Sequence, residues 1–119
     1  MIAFISGHLD LTDAEFNTHY IPKIELAILK GDSFVIGDAK GADTMAQLYL
    51  MDNAIDNVTI YHMFTSPRNL CCQFFNTKGG FKSDKERDSA MTAESDYDIA
   101  WVRPGREKSG TAKNIKRRK

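Results

Sequence analysis

At 119 residues the chain is long enough for one hydrophobic core and too short for two, because domains run to roughly 100–150 residues. Its 42% apolar and 27% charged composition excludes collagen-like and disordered classes, and no apolar run approaches the ~20 residues that cross a bilayer, so no membrane partner is expected. The formal net charge of zero hides a polarity: residues 1–102 hold eight Lys/Arg against fifteen Asp/Glu, whereas residues 103–119 hold eight basic residues against Glu107 alone.

Met1-Ile2-Ala3-Phe4-Ile5 is too short for an export signal and lacks its basic flank, so the cytoplasm is the expected compartment. Ile2-Ala3-Phe4-Ile5 reads as the first strand, stopped by the turn signal Ser6-Gly7. Thr12 with Glu15 makes a capping box, and Phe16, Tyr20, Ile24 and Ile28 at four-residue spacing predict an amphipathic helix. Pro22 should kink or split that helix near Ile21, and Gly31 should end it. Phe34-Val35-Ile36 is a second strand that runs into Gly37-Asp38-Ala39-Lys40-Gly41. Ala42, Met45, Ala46 and Tyr49 then share one face of a helix reaching about Asn53.

Val58-Thr59-Ile60-Tyr61 is a third strand. Residues 65–81, with Pro67, Asn69, Gly79 and Gly80 and no sustained period, read as a long loop. Ser83 and Glu86 form a second capping box, opening a helix to about Ser95, and Asp98-Ile99-Ala100-Trp101-Val102 is a fourth strand. Pro104-Gly105 breaks it, and Ser109-Gly110-Thr111 opens a short last helix. Residues 113–119 form a basic tail whose cations suit a solvated helix C-terminus.

Strands alternating with helices predict an α/β fold in one domain spanning 1–119. The expected architecture is a Rossmann-like three-layer sandwich with a parallel sheet of about four strands in the order 3-2-1-4. Cys71 and Cys72 are adjacent, too strained for a mutual disulfide, and are expected as reduced thiols. His8, His19 and His62 have no metal-ligand spacing with one another or with the cysteines, so no metal and no cofactor is expected.

In open parallel sheets ligands bind outside the carboxyl ends of the strands, where the strand order reverses. Three strand ends here carry small or glycine-containing turns: Ser6-Gly7, the turn from Gly37 to Gly41, and the segment from Pro104 to Thr111. Glycine lets a ligand approach the backbone, and a helix N-terminus offers unpaired N–H groups to a phosphate. The helix starts at Gly41-Ala42-Asp43 and Ser109-Gly110-Thr111 are therefore candidates to hold a phosphate and a sugar between them. Neither is a Walker A loop, and no GxGxxG is present. Lys40 can close over a phosphate, and the planar guanidinium of Arg87 suits phosphate oxygens. Trp101 reads as core; Phe74, Phe75 and Phe81 can cover a base or pack in a core.

Gly37-Asp38-Ala39-Lys40-Gly41-Ala42-Asp43-Thr44-Met45-Ala46 resembles the GGAxGxDxxA stretch of the SLOG superfamily, which includes the DprA proteins and the Lonely Guy phosphoribohydrolases. Glu86-Arg87-Asp88-Ser89-Ala90-Met91 resembles the ERKxxM helix of the Lonely Guy proteins. Pro104-Gly105 with Ser109-Gly110-Thr111 is similar to their PGGxGTxxE turn. The overall pattern is that of a small uncharacterised SLOG branch. The strand-end turns and the resemblance together give an expected nucleotide site at Ser6, Gly7, Gly37, Asp38, Lys40, Gly41, Asp43, Arg87, Gly105, Ser109, Gly110, Thr111 and Asn114; the sequence leaves the oligomeric state open, with a homodimer as an expectation because the Lonely Guy relatives dimerise.

In the Lonely Guy enzymes the helix arginine and the glutamate of GTxxE release a free base from a nucleoside monophosphate. Arg87 matches the arginine, but Asn114 stands where the glutamate would be. A carboxylate stabilises the cation-like sugar or activates water, whereas an amide hydrogen-bonds a ribose hydroxyl and is no base near neutral pH. The expectation is thus binding of a nucleotide or nucleotide derivative, as a sensor or carrier. Hydrolysis of a nucleoside 5'-monophosphate is the alternative, with Asp38, Asp43 or Asp88 as the substitute acid. Single-stranded nucleic-acid binding through the basic tail is a further alternative.

Overall fold

A computed structural model describes residues 1–118. Five strands, β1 (Ile2–Ile5), β2 (Ser33–Gly37), β3 (Val58–Met63), β4 (Asn76–Phe81) and β5 (Tyr97–Ile99), form one sheet in the order β4-β3-β2-β1-β5. Every pairing is parallel. Five helices connect and cover them: α1 (Asp13–His19), α2 (Ile21–Lys30), α3 (Ala42–Asp52), α4 (Asp84–Glu94) and α5 (Gly110–Arg118).

The layers follow from the alternation of side chains along the strands. Ala3, Ile5, Phe34, Ile36, Val58, Ile60 and Ile99 face Phe16, Ile24, Ala46 and Leu50 of the first three helices in one core. Phe4, Val35 and Tyr61 point to the opposite face, against Met91 of α4. Both faces of the central strands are therefore apolar, as a parallel sheet covered on both sides requires.

The expected Rossmann-like sandwich is present, with one correction to strand count and order. The expected order 3-2-1-4 survives as β3-β2-β1-β5, and a fifth strand, β4, adds to the β3 edge from within the segment read as a loop. β4 is Asn76-Thr77-Lys78-Gly79-Gly80-Phe81, five of its six residues exposed, so it carries no hydrophobic alternation to reveal it. Its glycine is a packing requirement: a Cβ on Gly79 would lie 2.1 Å from the His62 ring. β5 is shorter than expected at its C-terminal end. The Trp101 N–H donates to the Tyr20 hydroxyl at 3.1 Å, and the Arg103 N–H donates to His8 Nε2, so both amides leave the ladder direction.

The long first helix is split as expected, with Tyr20 ending α1 and Pro22 in the first turn of α2, where its missing N–H costs nothing. Thr12 and Glu15 form the reciprocal capping box. Ser83 caps α4 by accepting the Glu86 N–H, without the reciprocal bond that a full box would add. The basic tail is a folded helix through Arg118; Lys119 lies outside the described residues. Arg118 clamps α5 onto α4 and β5, donating to Asp98, to the Thr92 and Ser95 carbonyls and to Ser95 Oγ.

Candidate functional site

A cleft of about 540 Å³ opens at the carboxyl ends of β1 and β2, between the N-terminal ends of α3 and α5 and the flank of α4. β1 has β2 on one side and β5 on the other, so the chain reverses its direction across the sheet here. Nine expected site residues line it: Ser6, Gly7, Gly37, Asp43, Arg87, Ser109, Gly110, Thr111 and Asn114.

α5 enters the cleft by its N-terminus. Ser109 Oγ accepts the Ala112 N–H at 3.2 Å and the Ser109 carbonyl accepts that of Lys113, so Ser109 is the cap. The amides of Gly110 and Thr111, ahead of the first intrahelical bond, are left for an external acceptor. Across from them Ser6 is only 6% exposed and its Oγ is one of two buried side-chain polar atoms with no partner among the described residues. A buried, unbonded hydroxyl costs about 1–3 kcal/mol and in a native site marks a missing partner. Asn114 is buried as well; its Oδ1 accepts from Arg117.

Two glycines are fixed by close packing. A Cβ on Gly7 would meet Ala42 Cβ and the Tyr20 hydroxyl at 2.4 Å, and one on Gly37 would meet Asp43 Oδ2 at 2.7 Å and Arg87 Cζ at 3.1 Å. The cleft floor thus lets α3 and the Arg87 side chain approach the sheet.

The charged groups under this floor form a network centred on Arg87. Nη1 donates to Asp38 Oδ1 at 2.7 Å and lies 3.2 Å from Asp84, while Nε and Nη2 reach Asp88 Oδ1 at 3.2 and 3.0 Å. Burial works against the Arg87 charge, and Asp88, Asp43 and Asp84 more than restore it. The guanidinium lines the cleft with its donors already committed to carboxylates. Asp43 has the opposite balance. Burial pushes its carboxyl up to about 7, with Arg87 and the Ala39 N–H, bonded at 3.2 Å, pulling the other way. It is the acid in the cleft that changes protonation near neutral pH.

Four expected site residues lie elsewhere. Asp38 is fully buried beneath the cleft: its carboxylate takes the Arg68 backbone N–H at 2.7 Å and the Arg68 guanidinium at 2.8 Å, and its carbonyl takes Asn69 Nδ2. Burial opposes its ionisation, but Arg68 and Arg87 hold the carboxyl below its usual range. Asp38 is a staple for the loop 64–75, helped by Gln47, which bonds the Asn69 carbonyl and the Cys71 N–H. Lys40 is exposed and does not line the cleft. Gly41, at φ 77°, packs against the His8 and Leu9 carbonyls, where a Cβ would come within 2.4–2.5 Å. Gly105 belongs to a shallow neighbouring depression.

The aromatic cover does not form either. Phe75 is core, Phe81 stacks on Tyr61 with ring centroids 5.8 Å apart, Phe74 is exposed, and none lines the cleft. Trp101, expected as core within the fourth strand, lies past the end of β5 and is half-buried, packing against the first core and stacking on His19 at 4.0 Å. Cys71 and Cys72 are free. Among the described residues no group of three His, Cys, Asp or Glu side chains is placed to hold a metal ion.

The sequence reading missed His8, Asp10 and Arg106. All three line the cleft, with Arg106 Nη2 donating to Asp10 at 2.7 Å. His8 follows directly on Ser6-Gly7 at the end of β1, a position that the strand-end rule already singles out. Compared with family models, curated proteins and solved structures, the chain matches none.

Proposed function

We propose that the cleft binds a nucleotide or nucleotide derivative, with a phosphate seated between Ser6 and the N-terminus of α5. The observation that carries this reading is that Ser6, whose buried hydroxyl has no partner among the described residues, lines the same cleft as Gly110 and Thr111 in the first turn of α5, where a helix leaves its amides unpaired. A phosphate oxygen accepts from all three, and the positive end of the helix favours the charge. Asn114 and Asp88 line the cleft beyond that seat, where they suit ribose hydroxyls, and Phe4 and Met91 give it an apolar wall. The resemblance to the SLOG superfamily points to the same ligand class.

The test is a thermal shift of the full chain with nucleoside phosphates, ADP-ribose and NAD, since a ligand selective for the folded state must stabilise it. At least one should raise the Tm by several degrees at millimolar concentration. Ser6→Ala removes the unsatisfied hydroxyl, so the free variant should gain about 1 kcal/mol of stability while its ligand-induced shift shrinks. A panel without any shift would sink the proposal.

Hydrolysis of a nucleoside 5'-monophosphate is the second reading, favoured by one feature: Asp43 lines the cleft with a carboxyl held near 7, the range a general acid or base needs. Free base released from a nucleoside monophosphate, and abolished in Asp43→Asn, would establish it. In the tail Arg118 is paired with Asp98, whereas Lys113 and Lys116 are exposed, so nucleic-acid binding there would draw on the lysines rather than on Arg118.

A further inference from the structure

His8 is 4% exposed and its ring is held from two sides. The Arg103 main-chain N–H donates to Nε2 at 2.9 Å, and Trp101 meets the ring edge-on at 6.2 Å between centroids. A backbone amide can only donate, so Nε2 must present its lone pair and the ring proton must sit on Nδ1. Burial and the nearby Arg103 and Arg106 charges also hold the imidazole below its usual range, against the weaker pull of Asp10 and Glu15. Nδ1 has no acceptor among the described residues. His8 lines the cleft, and Nδ1 is its one ring nitrogen without a partner among the described residues.

We infer that His8 is a ligand contact, a neutral imidazole whose Nδ1–H donates to a phosphate oxygen of the molecule seated at Ser6 and the α5 N-terminus. This rests on the nucleotide reading and deepens it. The four donors offered, Ser6 Oγ, the Gly110 and Thr111 amides and His8 Nδ1, are all uncharged, while the Arg87 and Arg106 guanidinium groups are paired with carboxylates. The seat therefore recognises the phosphate by hydrogen-bond geometry and helix dipole rather than by a free cation.

Ring-nitrogen NMR of the full chain at neutral pH should show His8 as the neutral Nδ1–H tautomer, and its Nδ1 signal should move on titration with adenosine 5'-monophosphate or ADP-ribose. His8→Gln keeps an acceptor for the Arg103 N–H but brings no donor to the Nδ1 position, so it should weaken binding about tenfold at unchanged fold. His8→Asn restores a donor near that position and should bind within about threefold of the wild type. An Nε2–H tautomer or an imidazolium in the free protein, or His8→Gln binding as tightly as the wild type, overturns the contact and leaves the nucleotide reading standing. Failure of the wild type to bind these two compounds and every other member of the nucleotide panel overturns both.

Discussion

Asp38 and Asp43 sit five positions apart on the same turn and meet opposite fates, decided by what reaches each carboxylate. Asp38 collects two guanidinium groups and a backbone N–H, and stays ionised though fully buried. Asp43 has one backbone donor and no guanidinium within ion-pair distance, and burial prevails. Raising a carboxyl from 3.8 to about 7 in the fold means that the unfolded chain releases this proton earlier than the folded one. Stability is therefore lost as pH climbs from 4 to 7 and stays lost above. Asp43→Asn keeps the acceptor for Ala39 and removes that charge, so it should raise the Tm by several degrees at pH 8 and change it little at pH 4, read by scanning calorimetry. Only the residue types and the strand-end position of this turn were legible in the sequence. The partner that turns Asp38 into a staple, Arg68, comes from a loop thirty positions away, and no local pattern announces it.

Among elements, those with an internal period were readable and those held by distant polar contacts were not. α1, α2 and α3 bury apolar residues at helical spacing, and β1, β2 and β3 are apolar runs bounded by turns; all were predicted within a few residues. β4 owes its place to main-chain pairing with β3 and to the order imposed on the preceding loop 64–75. Gln47, fully buried on α3, bridges that loop through both of its side-chain heads. Gln47→Ala should cost about 1–3 kcal/mol by leaving the Asn69 carbonyl and Cys71 N–H without partners. Trypsin should then cut at Arg68 well before the wild-type chain is cleaved, whereas an unchanged cleavage rate would show that the Asp38 staple suffices alone.

Across the whole molecule, acid and base act on stability from opposite directions. Arg103, just past β5, bonds Glu15 of α1 at 2.6 Å and, with the Thr12 N–H, holds its carboxyl down to about 2. Because that value lies below the unfolded one of 4.5, the contribution is present above pH 4.5 and lost as pH falls toward 2. With the Asp43 loss running from pH 4 to 7, these two groups together should make the urea midpoint peak at about pH 4 and decline on both sides. The class of fold was legible because strand and helix patterns alternate along the chain. The cleft was legible in part: the strand-end turns of β1 and β2 and the motifs of α4 and α5 placed nine of its residues, whereas His8, Asp10 and Arg106 enter it through contacts that no local pattern announces. The bond from the Arg103 amide to His8 spans ninety-five positions, and α5 follows later still. During synthesis the Ser6 side of the cleft therefore emerges first and waits for α5 to complete it, so whatever the cleft holds cannot act as a template for early folding and can only lock the chain once it has closed.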